Sequence, residues 1–161
     1  MRIFKEEQRF TRTWLTAVLT VSILALIGMV IKEYSEENSS MTTAEFLSTV
    51  GLILLVITPI FFFKLTTRID EKGIHYRFFP FHRSLKTILW SDIQSVYIRK
   101  YNAISEYGGW GLKGKAINTS GNIGIQLKLT NTKKLLIGTH KEVDAKKVLE
   151  TYRHKTVHHE N

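Results

Sequence analysis

The sequence predicts a membrane-anchored α+β protein. A hairpin of two transmembrane helices leads into a soluble domain, an antiparallel β-barrel or sandwich of roughly six or seven strands capped by a C-terminal α-helix. Three observations predict it. Two long apolar runs, Trp14–Ile31 and Phe46–Phe63, carry no charged side chain. From Leu65 onward apolar residues recur at every second position, with turn residues between the runs. Near the end, Ala145, Val148, Leu149 and Tyr152 recur at the spacing of one helix face.

Residues 1–13 form a polar segment with Arg2, Lys5, Arg9 and Arg12. The run 14–31, WLTAVLTVSILALIGMVI, is too long for a signal-peptide core, and Lys32-Glu33-Tyr34 follows it instead of a small-residue cleavage site. The second run, 46–63, reads FLSTVGLILLVITPIFFF. At about 1.5 Å per residue, a helix of that length comes close to a hydrocarbon core of roughly 30 Å. The intervening loop 32–45 has Lys32 against Glu33, Glu36, Glu37 and Glu45, whereas both outer flanks are rich in Lys and Arg. The positive-inside rule therefore puts both termini in the cytoplasm and the loop outside, with Trp14 and Tyr34 at the interfaces. The triplet Asn38-Ser39-Ser40 matches the glycosylation pattern, which is too common to weigh. Pro59 removes a backbone donor and predicts a kink late in the second helix. No ionisable side chain lies in mid-membrane and two helices make a poor pore, so a transporter or ion path is disfavoured.

The soluble domain, 65–153, opens with strands over 66–70 and 74–79 around the turn Glu71-Lys72-Gly73, where glycine supplies a positive φ. Pro80 ends the second strand. Extended segments over 83–89 and 94–101 flank a turn at Trp90-Ser91-Asp92-Ile93. Residues 102–122 read as a long glycine-rich loop. A hairpin follows, 123–129 and 133–138 around Asn131-Thr132. Thr139-His140-Lys141-Glu142 fits a capping box ahead of the last helix, and 154–161 is a polar tail.

Composition excludes several chemistries. Without cysteine there are no disulfides, thiolate metal sites or cysteine nucleophiles. His75, His82, His140, His154, His158 and His159 make no ligand motif, so neither metal nor cofactor is expected. Ser91-Asp92 reads as a turn rather than a nucleophile, and no catalytic constellation emerges, which predicts a non-enzyme. From Lys64 onward 18 Lys and Arg face 8 Asp and Glu, part of a formal net charge of +9. That excess suits anionic lipid or nucleic acid, and it equally fits the ordinary cytoplasmic bias of membrane proteins. Nucleic acid is not expected, because Tyr76, Phe78, Phe79, Phe81 and Tyr97 fall on alternating strand positions better suited to a core than to stacking.

The candidate ligand or partner loop is Gly108, Gly109, Trp110, Gly111, Lys113 and Lys115. Gly109 to Gly114 matches G-x-G-x-x-G, but an antiparallel hairpin follows where a dinucleotide fold needs a helix. Two readings stay open. The glycines would present backbone donors to a ligand beside Trp110 and the two lysines, or Trp110 would plug the end of the barrel.

Several stretches together resemble a known family. They are Thr67-Arg68-Ile69-Asp70-Glu71-Lys72-Gly73-Ile74, Trp90-Ser91-Asp92-Ile93, Tyr107-Gly108-Gly109-Trp110-Gly111, Gly124-Ile125-Gln126-Leu127 and Leu135-Leu136-Ile137-Gly138-Thr139. The chain is similar to bacterial membrane proteins in which two N-terminal helices precede a pleckstrin-homology-like (PH-like) domain. The resemblance implies a multi-pass protein of the bacterial cytoplasmic membrane. Its domain would act as a protein-interaction or scaffolding module for another membrane protein or for itself, with anionic headgroups as a contributing contact. The alternative is lipid or small-ligand sensing through the glycine-rich loop.

Overall fold

A computed structural model describes residues 2–9, 13–37 and 39–157. Arg12, the Trp14 side chain, Asn38 and His158-His159 lie outside the described residues. The chain divides into two compact units, one of Thr11–Phe62 and one of Met1–Phe10 together with Phe63–Asn161.

The helical unit holds α1 (Thr13–Ser35) and α2 (Thr43–Ile57), followed by a 3-10 segment, Thr58–Phe62. Thr42 begins α2 with a capping box: its hydroxyl accepts from Glu45 N–H, and the Glu45 carboxylate accepts from Thr42 N–H at 2.8 Å. Tyr34 stacks on Phe46 at 4.6 Å between ring centroids, and its hydroxyl lies 3.1 Å from Thr43 Oγ1, tying the ends of the helices together. The α-helix stops one residue before Thr58-Pro59, because proline has no N–H to continue the i→i−4 ladder. Among the described residues one helix, Thr16–Ser35, is long and apolar enough to cross a membrane unaided, and Thr43–Val56 is a shorter apolar helix. Leu24, Met29, Leu52 and Leu55 project outward from the pair.

The second unit contains nine strands among the described residues, against the six or seven expected. The first sheet is antiparallel in the order β1 (Phe4–Arg9), β2 (Lys64–Ile69), β3 (Gly73–Phe79), β4 (Lys86–Leu89). The second sheet comprises β5 (Ile93–Lys100), β6 (Gly111–Lys113), β7 (Ala116–Asn118), β8 (Ile123–Leu129) and β9 (Lys134–Gly138). Its order is β5-β8-β9-β7-β6, and its β7–β9 pair is parallel. A short helix α3 (Ala103–Tyr107) precedes β6, and α4 (Glu142–Tyr152) closes the fold.

The parallel pair departs from the all-antiparallel expectation, and three local expectations change as well. The polar segment at the N-terminus holds β1, whose Arg9 pairs with Lys64 and whose Phe4 pairs with Ile69. It read as polar because only Phe4 is apolar among its inward side chains Phe4, Glu6 and Gln8. The glycine-rich stretch contains β6 and β7, each of 3 residues, too short to show a period. The capping box at Thr139 does not form: α4 begins after Lys141, and the Thr139 hydroxyl donates instead to Glu6 Oε2 at 2.6 Å.

The core lies between the sheets, with Leu65, Ile69, Ile74, Phe78, Ile93 and Ile125 fully enclosed. The α4 face Ala145, Val148, Leu149 and Tyr152 covers it, as the spacing predicted. Burying a Phe or Leu side chain contributes roughly 1.5–3 kcal/mol. Trp90 anchors the turn after β4: its indole N–H donates to Asp70 O at 2.9 Å and its ring lies 5.7 Å from Tyr152. Gly73 serves a steric role, since a Cβ there would collide with the Ile88 carbonyl oxygen of the neighbouring strand. Of the five aromatics assigned to the core, Phe78 is fully buried and Tyr76 partly, while Phe79, Phe81 and Tyr97 are exposed.

Candidate functional site

The glycine-rich loop begins where Asn102 caps α3, its Oδ1 accepting from the Ile104 and Ser105 amides at 3.0 and 3.2 Å. Arg99 braces this turn through Glu106 (2.7 Å) and Tyr107 (2.8 Å). Hydrogen bonds from Arg99 and from the Asn102 amide hold the Glu106 carboxyl below its usual range. Gly108 takes the left-handed conformation that ends the helix, at φ 68°. The amides meant for a ligand are already used. Gly108 N–H donates to Ile104 O (2.9 Å), Gly109 N–H to Ala103 O (2.8 Å) and Gly111 N–H to Asn118 Oδ1 (2.9 Å). Trp110 is half-buried against the cluster of Tyr101, Ala103, Ala116 and Leu136, and its indole N–H donates to Gly121 O at 3.3 Å. Gly111 opens a strand and no helix, so the G-x-G-x-x-G match lacks its dinucleotide context. Lys113 and Lys115 remain exposed.

The outer face of the first sheet offers more open chemistry. Strand register builds two cross-strand rows: Glu7, Thr66 and Arg77 in one, and Lys5, Arg68, His75 and Thr87 in the other. Asp70 ends β2 beside the second row. Its Oδ2 meets Arg68 Nε at 3.1 Å, and its Oδ1 meets His75 Nε2 at 3.0 Å and the Lys72 amide at 2.9 Å. Burial pushes the Asp70 pKa up, but the His75 and Lys72 hydrogen bonds outweigh it and leave the pKa below its ordinary value. His75 Nδ1 lies 2.8 Å from Thr87 Oγ1. The resulting Asp–His–Thr chain has the connectivity of a nucleophile relay, but the neighbouring Lys72 amide is spent on Asp70 rather than aimed at an oxyanion. In the other row Lys64 Nζ holds Glu7 at 2.8 Å, and that bond lowers the Glu7 pKa.

Two adjoining clefts lie on this face and share Arg68 and Leu85. One, about 370 Å³, is lined by Asp70, Lys72, His75 and Thr87; the other, about 350 Å³, by Ile3, Lys5, Glu7, Thr66 and Arg77. Sequence reading missed this face because Lys5 and Glu7 precede α1 and α2 while its other members follow them. The signal was the alternation in KLTTRI and GIHYRFF, which puts Lys64, Thr66, Arg68, His75 and Arg77 on one side.

A third constellation is internal. Glu6, 4% exposed, accepts from Thr139 Oγ1 (2.6 Å) and from the His140 amide (2.8 Å). Gln8 donates to Gly138 O (2.8 Å) and accepts from Thr119 Oγ1 (3.0 Å). At the start of the strand, Tyr152 donates its hydroxyl to Arg2 O at 2.7 Å. These bonds fix β1 rather than bind a ligand. Among the described residues no group of three His, Cys, Asp or Glu side chains is placed to hold a metal.

No protein-family model matches the chain, and no curated protein matches it either.

Proposed function

We propose that this protein is a two-span membrane protein whose β-rich unit is a non-catalytic binding or scaffolding module. One observation carries the reading: β1 precedes both apolar helices, β2 follows both, and the two strands pair along their whole length. Paired strands must lie on the same side of a bilayer, so the chain between them crosses an even number of times. If α1 spans, the segment from Thr43 must return. Its length allows this: 15 α-helical residues rise about 22 Å and 5 residues of 3-10 helix about 10 Å, together close to the roughly 30 Å required. The outward apolar side chains of both helices fit lipid. The charge asymmetry of the flanks supports a cytoplasmic β-rich unit.

The module reading draws on the resemblance to PH-like membrane proteins and on the open charged face of the first sheet. The partner is another membrane protein or a second copy of the chain, with anionic headgroups contributing. Sensing through the Gly108–Lys115 loop has less support, because its amides already have acceptors.

Reporters fused before Arg2 and after Val157 test the topology. Both should read cytoplasmic, and the protein should resist alkaline carbonate extraction; reporters on opposite sides would overturn the two-span reading. Site-specific photocrosslinking from Lys72 or Lys113 in native membranes then tests the module, which predicts a discrete adduct from at least one position.

A further inference from the structure

We propose that the outer face of β1–β3 holds a site for a phosphate ester carrying an apolar substituent, formed by Lys5, Thr66, Arg68 and Arg77. Four cations gather there, Lys5, Lys64, Arg68 and Arg77, against two carboxylates, Glu7 and Asp70. Each carboxylate is already taken, Glu7 by Lys64 and Asp70 by Arg68 and His75. Lys5 and Arg77 also act on Glu7 through space, yet the four cations still outnumber the two carboxylates, with Lys5 on one side of β2 and Arg77 on the other.

Two orphaned atoms point to the same place. Thr66 Oγ1 and Arg77 Nε are buried and have no hydrogen-bond partner among the described residues. They belong to directly opposed residues of β2 and β3, and both residues line the 350 Å³ cleft. A buried donor left unmet is unfavourable, and native proteins rarely leave two side by side without a ligand or water to fill them. A hydroxyl, a guanidinium and a nearby ammonium are the donor set that a phosphate accepts from, and the planar fork of arginine matches its oxygens. Both atoms are covered in the free protein, so binding includes a rotamer change among the lining side chains. Glu7, kept ionised by Lys64, repels an oxyanion from its end and confines it toward Lys5, Arg68 and Arg77.

The rest of the cleft wall is apolar and exposed, with Ile3 50% and Leu85 46% accessible. Free phosphate has no use for those side chains, whereas a phosphate ester places its organic group on them. The ester is either a phospholipid headgroup or a soluble organic phosphate. The cleft lies along β1–β2 within about 13 Å of the Arg9–Lys64 pair, where the chain leaves for and returns from the helices, at roughly 3.3 Å per strand residue. The lipid source rests on the membrane reading above; the soluble source does not.

The test uses the full chain, labelled with nitrogen-15 at arginine, in neutral-lipid nanodiscs. Inorganic phosphate and hexyl phosphate are titrated while the Arg68 and Arg77 Nε–H resonances, identified by their loss in Arg68→Lys and Arg77→Lys, are followed. The site predicts a saturable shift, tighter for hexyl phosphate than for phosphate. Arg77→Gln, read at the Arg68 resonance, should weaken hexyl phosphate at least about tenfold, as loss of a charge-assisted hydrogen bond does, while Lys133→Gln in the exposed β8–β9 turn changes nothing. A shift produced by phosphatidylglycerol nanodiscs and by neither soluble probe assigns the site to the headgroup. No shift with any probe, or equal losses from Arg77→Gln and Lys133→Gln in variants that keep the wild-type melting temperature, overturns the proposal. Carbonate extraction reads the membrane anchor separately, so the failure of one does not mimic failure of the other.

Discussion

Under α4 the interior of the β-rich unit is apolar, with Phe78, Ile93, Leu127 and Leu149 in contact across the sheets. Where β1 meets β7 and β9 it is polar, with Glu6 and Gln8 reaching Thr139, Gly138 and Thr119. The difference teaches what each region does. Apolar contact is non-directional and tolerates small slips. A buried carboxylate is costly unless its donors are in place, so the polar seam accepts β1 in one register only. A slip of one residue would turn Lys5 and Glu7 inward and strand the Thr139 hydroxyl. The apolar half supplies cohesion and the polar half supplies alignment.

That division can be broken from either side. Phe78→Ala should cost about 3–5 kcal/mol in denaturant unfolding, the largest single effect, because it empties the centre of the core. Glu6→Ala should cost about 2–3 kcal/mol by leaving Thr139 Oγ1 and the His140 amide without an acceptor, with a strong coupling to Thr139→Val in a double-mutant cycle. A cost near zero would mean that the seam is incidental. Trp110→Ala should cost about 2 kcal/mol, since the ring is half-buried against the Tyr101 cluster. A variant that keeps full stability and loses crosslinking would instead make Trp110 a contact residue.

The smallest effect is a pH dependence. Burial, helped by Lys86, lowers the His82 pKa below 6.5. The folded state then takes up its proton later than the unfolded chain, so stability is full above about pH 6.5 and declines as pH falls below it. His82→Gln should flatten that slope, by about 1–2 °C in melting temperature between pH 7.5 and 5.5. Asp70 acts lower on the scale: its depressed pKa favours folding above about pH 4, and that contribution is lost as the carboxylate protonates.

Legibility followed the strength of local periodicity. The hairpin β8–β9 was plain because seven alternating residues precede Asn131, whose Oδ1 accepts the Lys133 amide at 3.1 Å and shapes the turn. The buried face of α4 was plain for the same reason. β1 was hidden because its inner face is polar, and its apolar equivalent would have read as a strand at once. The glycine loop was visible but misleading: a glycine-rich stretch shows that the backbone turns tightly, not whether its donors are free. The charged sheet face was nearly invisible, since Lys5 meets Arg68 only after two helices have gone by.

The Arg9–Lys64 pair has a last consequence. Joining those residues through Asn-Gly in place of residues 10–63 makes an ordinary two-residue hairpin, and should yield a water-soluble β-rich unit with wild-type Glu6 contacts. In the natural chain the same junction makes closure of the first sheet a long-range event, because β1 finds its partner only beyond the whole helical unit. Its other anchor, Tyr152, lies further on still, so the natural chain should fold more slowly than the Asn-Gly chain.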